Sequence, residues 1–378
     1  MMKWRRVWAV ARKESLHVVR DPRSLLMAVA TPVFMLTLFG YALTLDVDHV
    51  PFCVWDQSGT AQSRELTSRF DGSRYFSLRG RFDNYDALID AIDRGRVMMG
   101  LVIPRDFAQR VDAGRDAPVQ LIVDGSDSNT ATIALGYAEV IAQTYAMDLM
   151  IEQTERHRGQ RLTIPLDVRP RVWFNEDLES RNYIIPGLIA VIMMVIAAML
   201  TSLTVAREWE QGTMEQLIAT PVKPAELILG KLTPYFVIGL CDVAIAVAMG
   251  EFVFHVPLRG NVALLFGASV IFLTGALAMG ILISILTKSQ LLSNQIATIA
   301  TFLPAFLLSG FIFTIANMPQ VIQWVTYLVP ARYFVVILKG VYLKGVGLEI
   351  LGGQVALLIG YAIVMVALAQ WKFKKKLV

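Results

Sequence analysis

The side chains best equipped for chemistry gather in residues 207–222, R-E-W-E-Q-G-T-M-E-Q-L-I-A-T-P-V. Thr213 is placed to cap a short helix, and Glu215 then lies near that helix's positive N-terminal end. Gly212 permits the turn into the helix and Pro221 stops it. Such a short helix, with exposed Glu and Met side chains, is a handle for a partner to push. Without a partner, the same residues are a plain connector between two apolar segments.

Asp242 is the second residue of note, near the centre of a long apolar run. An ionised carboxylate there costs at least ~2.5 kcal/mol. One reading is a contact for a cation or polar cargo on a central translocation path. The other is a neutral or helix-paired aspartate that holds a bundle together. The histidines His17, His49, His157 and His255 are scattered and suggest no metal site. Cys53 and Cys241 fall in segments of opposite character and exclude a disulfide framework. The sequence has no G-x-x-x-x-G-K-[ST] phosphate loop, no H-E-x-x-H, no C-x-x-C and no G-x-S-x-G. Nothing in it argues for an enzyme, a bound cofactor or a metal.

The elements that hold these residues belong to a membrane protein. Hydrophobic residues make up 55% of the 378, charged residues 17%, and mean hydropathy is +0.53. Soluble domains average roughly 45–50% and about 25%. The net charge of +4 comes from basic clusters beside apolar runs, at Lys3, Arg5, Arg6, Arg12, Lys13, Arg20 and Arg23 and again at Lys372, Lys374, Lys375 and Lys376. That placement marks a cytoplasmic face and argues against a nucleic-acid partner.

Residues 1–23 read as a cytoplasmic interfacial helix, with Trp4, Trp8, Ala11, Ser15, Val18 and Val19 on one face and Arg5, Arg12, Lys13 and His17 off it. The first span follows at 24–45, too long for a signal-peptide core. Residues 46–181 have soluble character, with β-type runs at 50–56, 75–78, 97–103 and 119–124 alternating with helical patterns at 62–70, 85–94, 107–113 and 130–155. Alternation of this kind predicts an α/β layer domain; residues 163–174 read as an extended return to the membrane. Five further spans are expected at 183–206, 232–254, 261–286, 292–315 and 350–371, within the region 182–378, making six transmembrane helices. Residues 207–231 form a cytoplasmic loop, and 316–345, interrupted by Pro330 and Arg332, form a re-entrant segment of two short helices. With both termini inside, the α/β insert lies on the extracytoplasmic side.

Four stretches resemble one family. The run at 207–222 is similar to the loop after the second span of ABC type-2 transport permeases. R-K-E-S-L-H-V-V-R-D-P-R-S-L at 12–25 resembles that family's opening helix, and N-Y-I-I-P-G at 182–187 the start of its second span. P-A-R-Y-F-V-V-I-L-K-G-V-Y-L-K-G at 330–345 resembles its outer re-entrant segment. The large insert matches the multidrug-export branch.

The resemblance implies a permease subunit in a bacterial inner membrane, paired with a second copy or a relative. Each subunit docks on a separate ATP-binding subunit that carries ATP and Mg. Glu208, Trp209, Gly212, Thr213, Met214, Glu215 and Leu217 are then the ATPase-coupling loop, and Trp4, Trp8, Arg12 and Lys13 the accompanying interfacial helix. The expected cargo is a hydrophobic or amphipathic compound, and the outer domain suits a periplasmic adaptor protein. Two other readings stand beside this one: an exporter of lipid or lipid-linked glycan, and a non-transporting scaffold or receptor with a ligand-binding outer domain. A secondary transporter is disfavoured, because no inverted repeat is evident.

Overall fold

The computed structural model describes residues 3–43, 47–158, 173–175 and 179–373. The chain divides into two compact units, Met1–Thr44 with Arg171–Val378, and Leu45–Pro170. The expected tail lysines Lys374–Lys376 and most of the extended return at 163–174 lie outside the described residues.

The first unit is helical and built around one span. Helix α7 (Ser180–Glu210) is apolar on every side, and each residue from Ile184 to Ala198 is buried. A helix hydrophobic all round must be enclosed by others. Packed against it are α2 (Pro22–Ala42), α9 (Pro224–Ala248), α10 (Val262–Thr287), α11 (Gln290–Leu308) and α13 (Pro330–Lys339). Helix α14 (Leu348–Lys372) covers α10 and α13.

Five helices are long and apolar enough to cross a membrane: Ser180–Glu210, Pro224–Val253, Val262–Thr287, Gln290–Leu308 and Leu348–Lys372. The chain is an α-helical membrane protein. Helix α2, Pro22–Ala42, covers most of the first predicted span, 24–45, with Ala28–Ala42 as its described apolar part. The segment predicted as re-entrant holds α12 (Gln320–Thr326) and α13, the latter running on as a π-helical turn to Lys344, with an 83° bend between the two.

Between α7 and its neighbours, small hydroxyl side chains serve the backbone. Thr201 donates to the Leu277 carbonyl at 2.9 Å, and Ser293 to the Ser202 carbonyl. Ser284 accepts from the Val205 and Ala206 amides at 3.0 and 2.8 Å. These contacts hold close helix crossings where no water can satisfy the polar groups.

Helix α1 (Trp4–Arg20) packs lengthwise on α9. Val7, Ala11 and Glu14 are buried, while Trp4 and Trp8 remain 73% and 69% exposed. The reason is the partner's charge: α9 carries Lys231, and Glu14 is the acid of α1 that can meet it. The approach is close because Gly230 has no side chain; a Cβ there would stand 2.6 Å from Val10 Cβ and 3.0 Å from the Val7 carbonyl.

The second unit is an α/β sandwich. Strands β1 (Val50–Asp56), β2 (Phe76–Arg81), β3 (Met99–Ile103) and β4 (Gln120–Val123) form one sheet in the order β2-β1-β3-β4. The first three are parallel, and β4 is antiparallel to β3. Helices α3 (Ala61–Asp71), α5 (Phe107–Asp112) and α6 (Ser128–Arg158) cover one face over Phe52, Phe70, Phe76 and Leu101. Helix α4 (Tyr85–Asp93) covers the other over Cys53 and Val102. Burial pushes the Cys53 thiol up to about 11, so this cysteine is a packing residue, not a nucleophile.

Gly230→Val should force α1 off α9 at a cost of ~1–3 kcal/mol. The expected result is a lower melting temperature of the purified protein and faster tryptic cleavage at Arg12 and Lys13. Gly267→Ala, where an added Cβ meets nothing within 4 Å, should change neither. Equal behaviour of the two variants would show that the α1–α9 contact is looser than described.

Candidate functional site

Helix α7 ends at Glu210, and the chain turns through Gln211 and Gly212 into α8 (Thr213–Ala219). Gly212 has φ of 69°, the left-handed region that glycine occupies without cost. Its added Cβ would meet nothing within 4 Å, so the demand is conformational and not one of space. The predicted cap is different in fact. Gly212 occupies the N-cap position, Thr213 is the first helical residue, and its hydroxyl donates to the Glu208 carboxylate. As the first helical residue, Thr213 lies one position past the cap, and its hydroxyl makes a charge-assisted bond to the carboxylate instead.

Glu208 belongs to a buried ionic hub. Its Oε1 accepts from Lys231 Nζ at 3.2 Å and from Lys13 Nζ at 2.9 Å. Lys231, 2% exposed, also donates to Glu14 Oε2 at 3.1 Å and to the Thr204 carbonyl at 3.3 Å. All three ammonium protons therefore have acceptors. Tyr235, one turn along α9, donates to the other Glu14 oxygen at 3.1 Å. Two carboxylates face two ammonium groups, and the formal charge cancels. The hub joins α1, α7, α8 and α9 at one point.

Two further polar clasps flank it. Glu226, fully buried in the first turn of α9, accepts from the Lys223 amide at 2.9 Å and the Lys3 amide at 2.7 Å. One carboxylate thus caps the starts of both α9 and α1. Arg6 lies 3.6 Å from the same group and donates to the Pro221 carbonyl. At the other side, Glu210 accepts from both the backbone and the side-chain amide of Gln290, at 2.7 and 2.6 Å. Lys288 Nζ sits 4.6 Å from the Trp209 ring centroid, a cation–π contact. Helix α7 is thereby tied to the α10–α11 turn.

The residues predicted from the sequence divide accordingly. Glu208 and Thr213 lie in the hub, with Lys13 at its edge. Met214 is buried, and Trp209 and Leu217 pack against the core. Glu215 faces outward from α8, as Trp4, Trp8 and Arg12 do from α1. Asp242 is apart from all of these, 1% exposed within the bundle of a single chain. Neither of its carboxylate oxygens has a hydrogen-bond partner among the described residues.

Sequence reasoning missed Glu14, Lys231, Tyr235 and Glu226. A usable signal existed: Glu14 is the lone acid in the basic run 4–20, and Lys231 and Tyr235 are one turn apart at the start of an apolar span. Among the described residues, no group of three or more His, Cys, Asp or Glu is arranged to hold a metal ion.

The family described as ABC-2 family transporter protein matches residues 22–371. The probable multidrug ABC transporter permease YbhS of Escherichia coli K12 is 40% identical over 378 residues, covering 100% of this chain and 99% of that one. The probable multidrug ABC transporter permease YbhR of the same organism is 32% identical over 91% of this chain and 92% of its own length. The inner membrane transport permease YhhJ, also from Escherichia coli K12, is 25% identical over 94% and 96%.

Lys231→Met leaves two buried carboxylates short of a counter-ion and should cost ~3–5 kcal/mol, read as a large drop in melting temperature. Adding Glu14→Gln to that variant should recover part of the loss, since Glu208 keeps Lys13. A Lys231→Met protein as stable as the parent would mean that the hub carries no load.

Proposed function

The chain belongs to the ABC-2 family of transporter proteins, and we propose from that premise that it is the permease subunit of an ATP-driven exporter, moving a hydrophobic or amphipathic compound out of the cytoplasm or inner leaflet. ATP and Mg are held by a separate ATPase subunit, and two permease subunits form the pathway. Both termini are cytoplasmic and the α/β unit is extracytoplasmic, where it suits an adaptor protein. The multidrug designation of two relatives supports the cargo class.

The observation that carries this reading is the hub. Helix α8 is fixed from behind by buried Met214 and by the Thr213–Glu208 bond, while Glu215 faces outward. Helix α1 presents Trp4, Trp8 and Arg12 and is locked to the same point through Glu14 and Lys231. A push on either helix is delivered to α7, the central span, and α9 together. ATP drives such a movement only by favouring one arrangement of these helices over another. A receptor or scaffold needs no rigid joint of this kind.

Asp242 takes part in this cycle in a particular way. Its carboxylate is enclosed within one chain, so the cargo or a cation meets it only when the spans move apart.

Purification of the tagged protein from its native host in gentle detergent tests the reading directly. The expected result is a stoichiometric partner with a nucleotide phosphate loop, lost when residues 212–217 are scrambled. A folded protein that brings down no such partner would favour a receptor or scaffold. Asp242→Asn should lower export several-fold at equal abundance. Export that stays at the parental rate would remove Asp242 from the pathway.

A further inference from the structure

A cavity of about 220 Å³ lies among α1, α2, α7, α9 and α11, next to the hub. Its walls are mostly apolar, with Ile196 and Leu203 from α7, Ala28 from α2 and Ile238 from α9. Thr31 of α2 adds one hydroxyl. The polar groups lining it are of a different kind: His17 and Asp21 around the end of α1, Arg207 of α7 and Asn294 of α11. The cavity also shares Tyr235 with the hub.

Arg207 is the group that gives this cavity a chemical preference. Its guanidinium contacts His17 Nε2 at 2.6 Å and Gln290 Oε1 at 3.4 Å. The Gln290 amide oxygen is a neutral acceptor. Among the described residues, no carboxylate comes within the 4.0 Å of an ion pair with it, whereas Lys231 has two. Asp21 lines the same cavity but has an interaction of its own. A half-buried guanidinium with no carboxylate at ion-pair distance among the described residues favours an anion, and a guanidinium binds carboxylate, sulfonate or phosphate through two parallel bonds. The apolar walls favour a hydrocarbon chain or ring system.

We propose that this cavity binds an anionic amphiphile, with its charged head on Arg207 and its apolar body between α2, α7 and α9. Arg207 directly precedes Glu208 in α7, and Tyr235 bonds Glu14, so the occupant touches two residues next to the buried charges. Binding there bears on the joint that connects the spans to α1 and α8. The role of such a ligand as cargo rests on the exporter reading; its binding does not, and is measured without transport.

The test uses the full chain in nanodiscs of zwitterionic phosphatidylcholine. The probe is 11-(dansylamino)undecanoic acid, a fluorescent fatty acid, beside its uncharged methyl ester. Saturable binding of the acid, at least tenfold tighter than the ester, is expected. Arg207→Gln should remove that difference while leaving the ester unchanged, and Arg207→Lys should restore part of it. Thr31→Trp or Leu203→Trp, which fill the cavity, should abolish binding of both. Val237→Trp, at a 55% exposed position of α9, should bind as the parent does. A parental melting temperature reports that each variant is folded.

The source of the natural anion is read by repeating the titration with phosphatidylglycerol in the nanodisc. Loss of the probe signal identifies a bilayer lipid as the occupant, and a retained signal identifies a non-lipid compound; both keep the site. Equal affinity for acid and ester, an Arg207→Gln variant that still prefers the acid, or undiminished binding in both cavity-filling variants would overturn the proposal. None of those results would disturb the ATPase partnership on which the exporter reading is judged.

Discussion

An ammonium group as deeply buried as that of Lys231 persists only where anions and carbonyls replace its water. Here Glu14, Glu208 and the Thr204 carbonyl do so, and each comes from a different turn or helix. The requirement fixes more than one side chain. Glu14 can reach Lys231 only if α1 lies along α9, which the missing side chain of Gly230 allows. Glu208 can reach it only if the last turns of α7 stand beside the first turns of α9. The carboxylate then has one oxygen left for Thr213, and that sets where α8 begins.

Buried ion pairs are poor sources of stability, since desolvation offsets most of the attraction. Their value lies in discrimination. An apolar contact tolerates sliding by a few ångströms, whereas a buried charge that slides away from its partner is penalised steeply. The flanking clasps at Glu226 and Glu210 work the same way, each carboxylate holding backbone amides of two segments or both amide groups of one residue. The helices around the hub therefore have few low-energy arrangements. A joint with few arrangements transmits a displacement, while a compliant one absorbs it.

Much of this architecture was legible in the residues. The later spans announce themselves because a segment surrounded by hydrocarbon or by other apolar helices has no use for polar residues; α7, α10 and α14 are near-continuous runs. The α/β unit was legible through period-two runs bounded by glycine, and its four strands lie where those runs do. What escaped was tertiary. Trp4 and Trp8 define an apolar face of α1 by pattern, but the pattern does not show that Glu14 ties another face to Lys231. Thr213 has the composition of a cap, but Gly212 holds that position and the Thr213 hydroxyl bonds a carboxylate five residues earlier. Lys231 and Glu14 lie 217 residues apart, and no local rule joins them.

That separation has a consequence for how the protein is made. Lys3 and Glu226 are 223 residues apart, and so α1 leaves the ribosome long before α9 exists. At ~5–20 residues per second the delay is roughly 10–40 s. Throughout it, Glu14 has no Lys231 and the first amides of α1 have no Glu226.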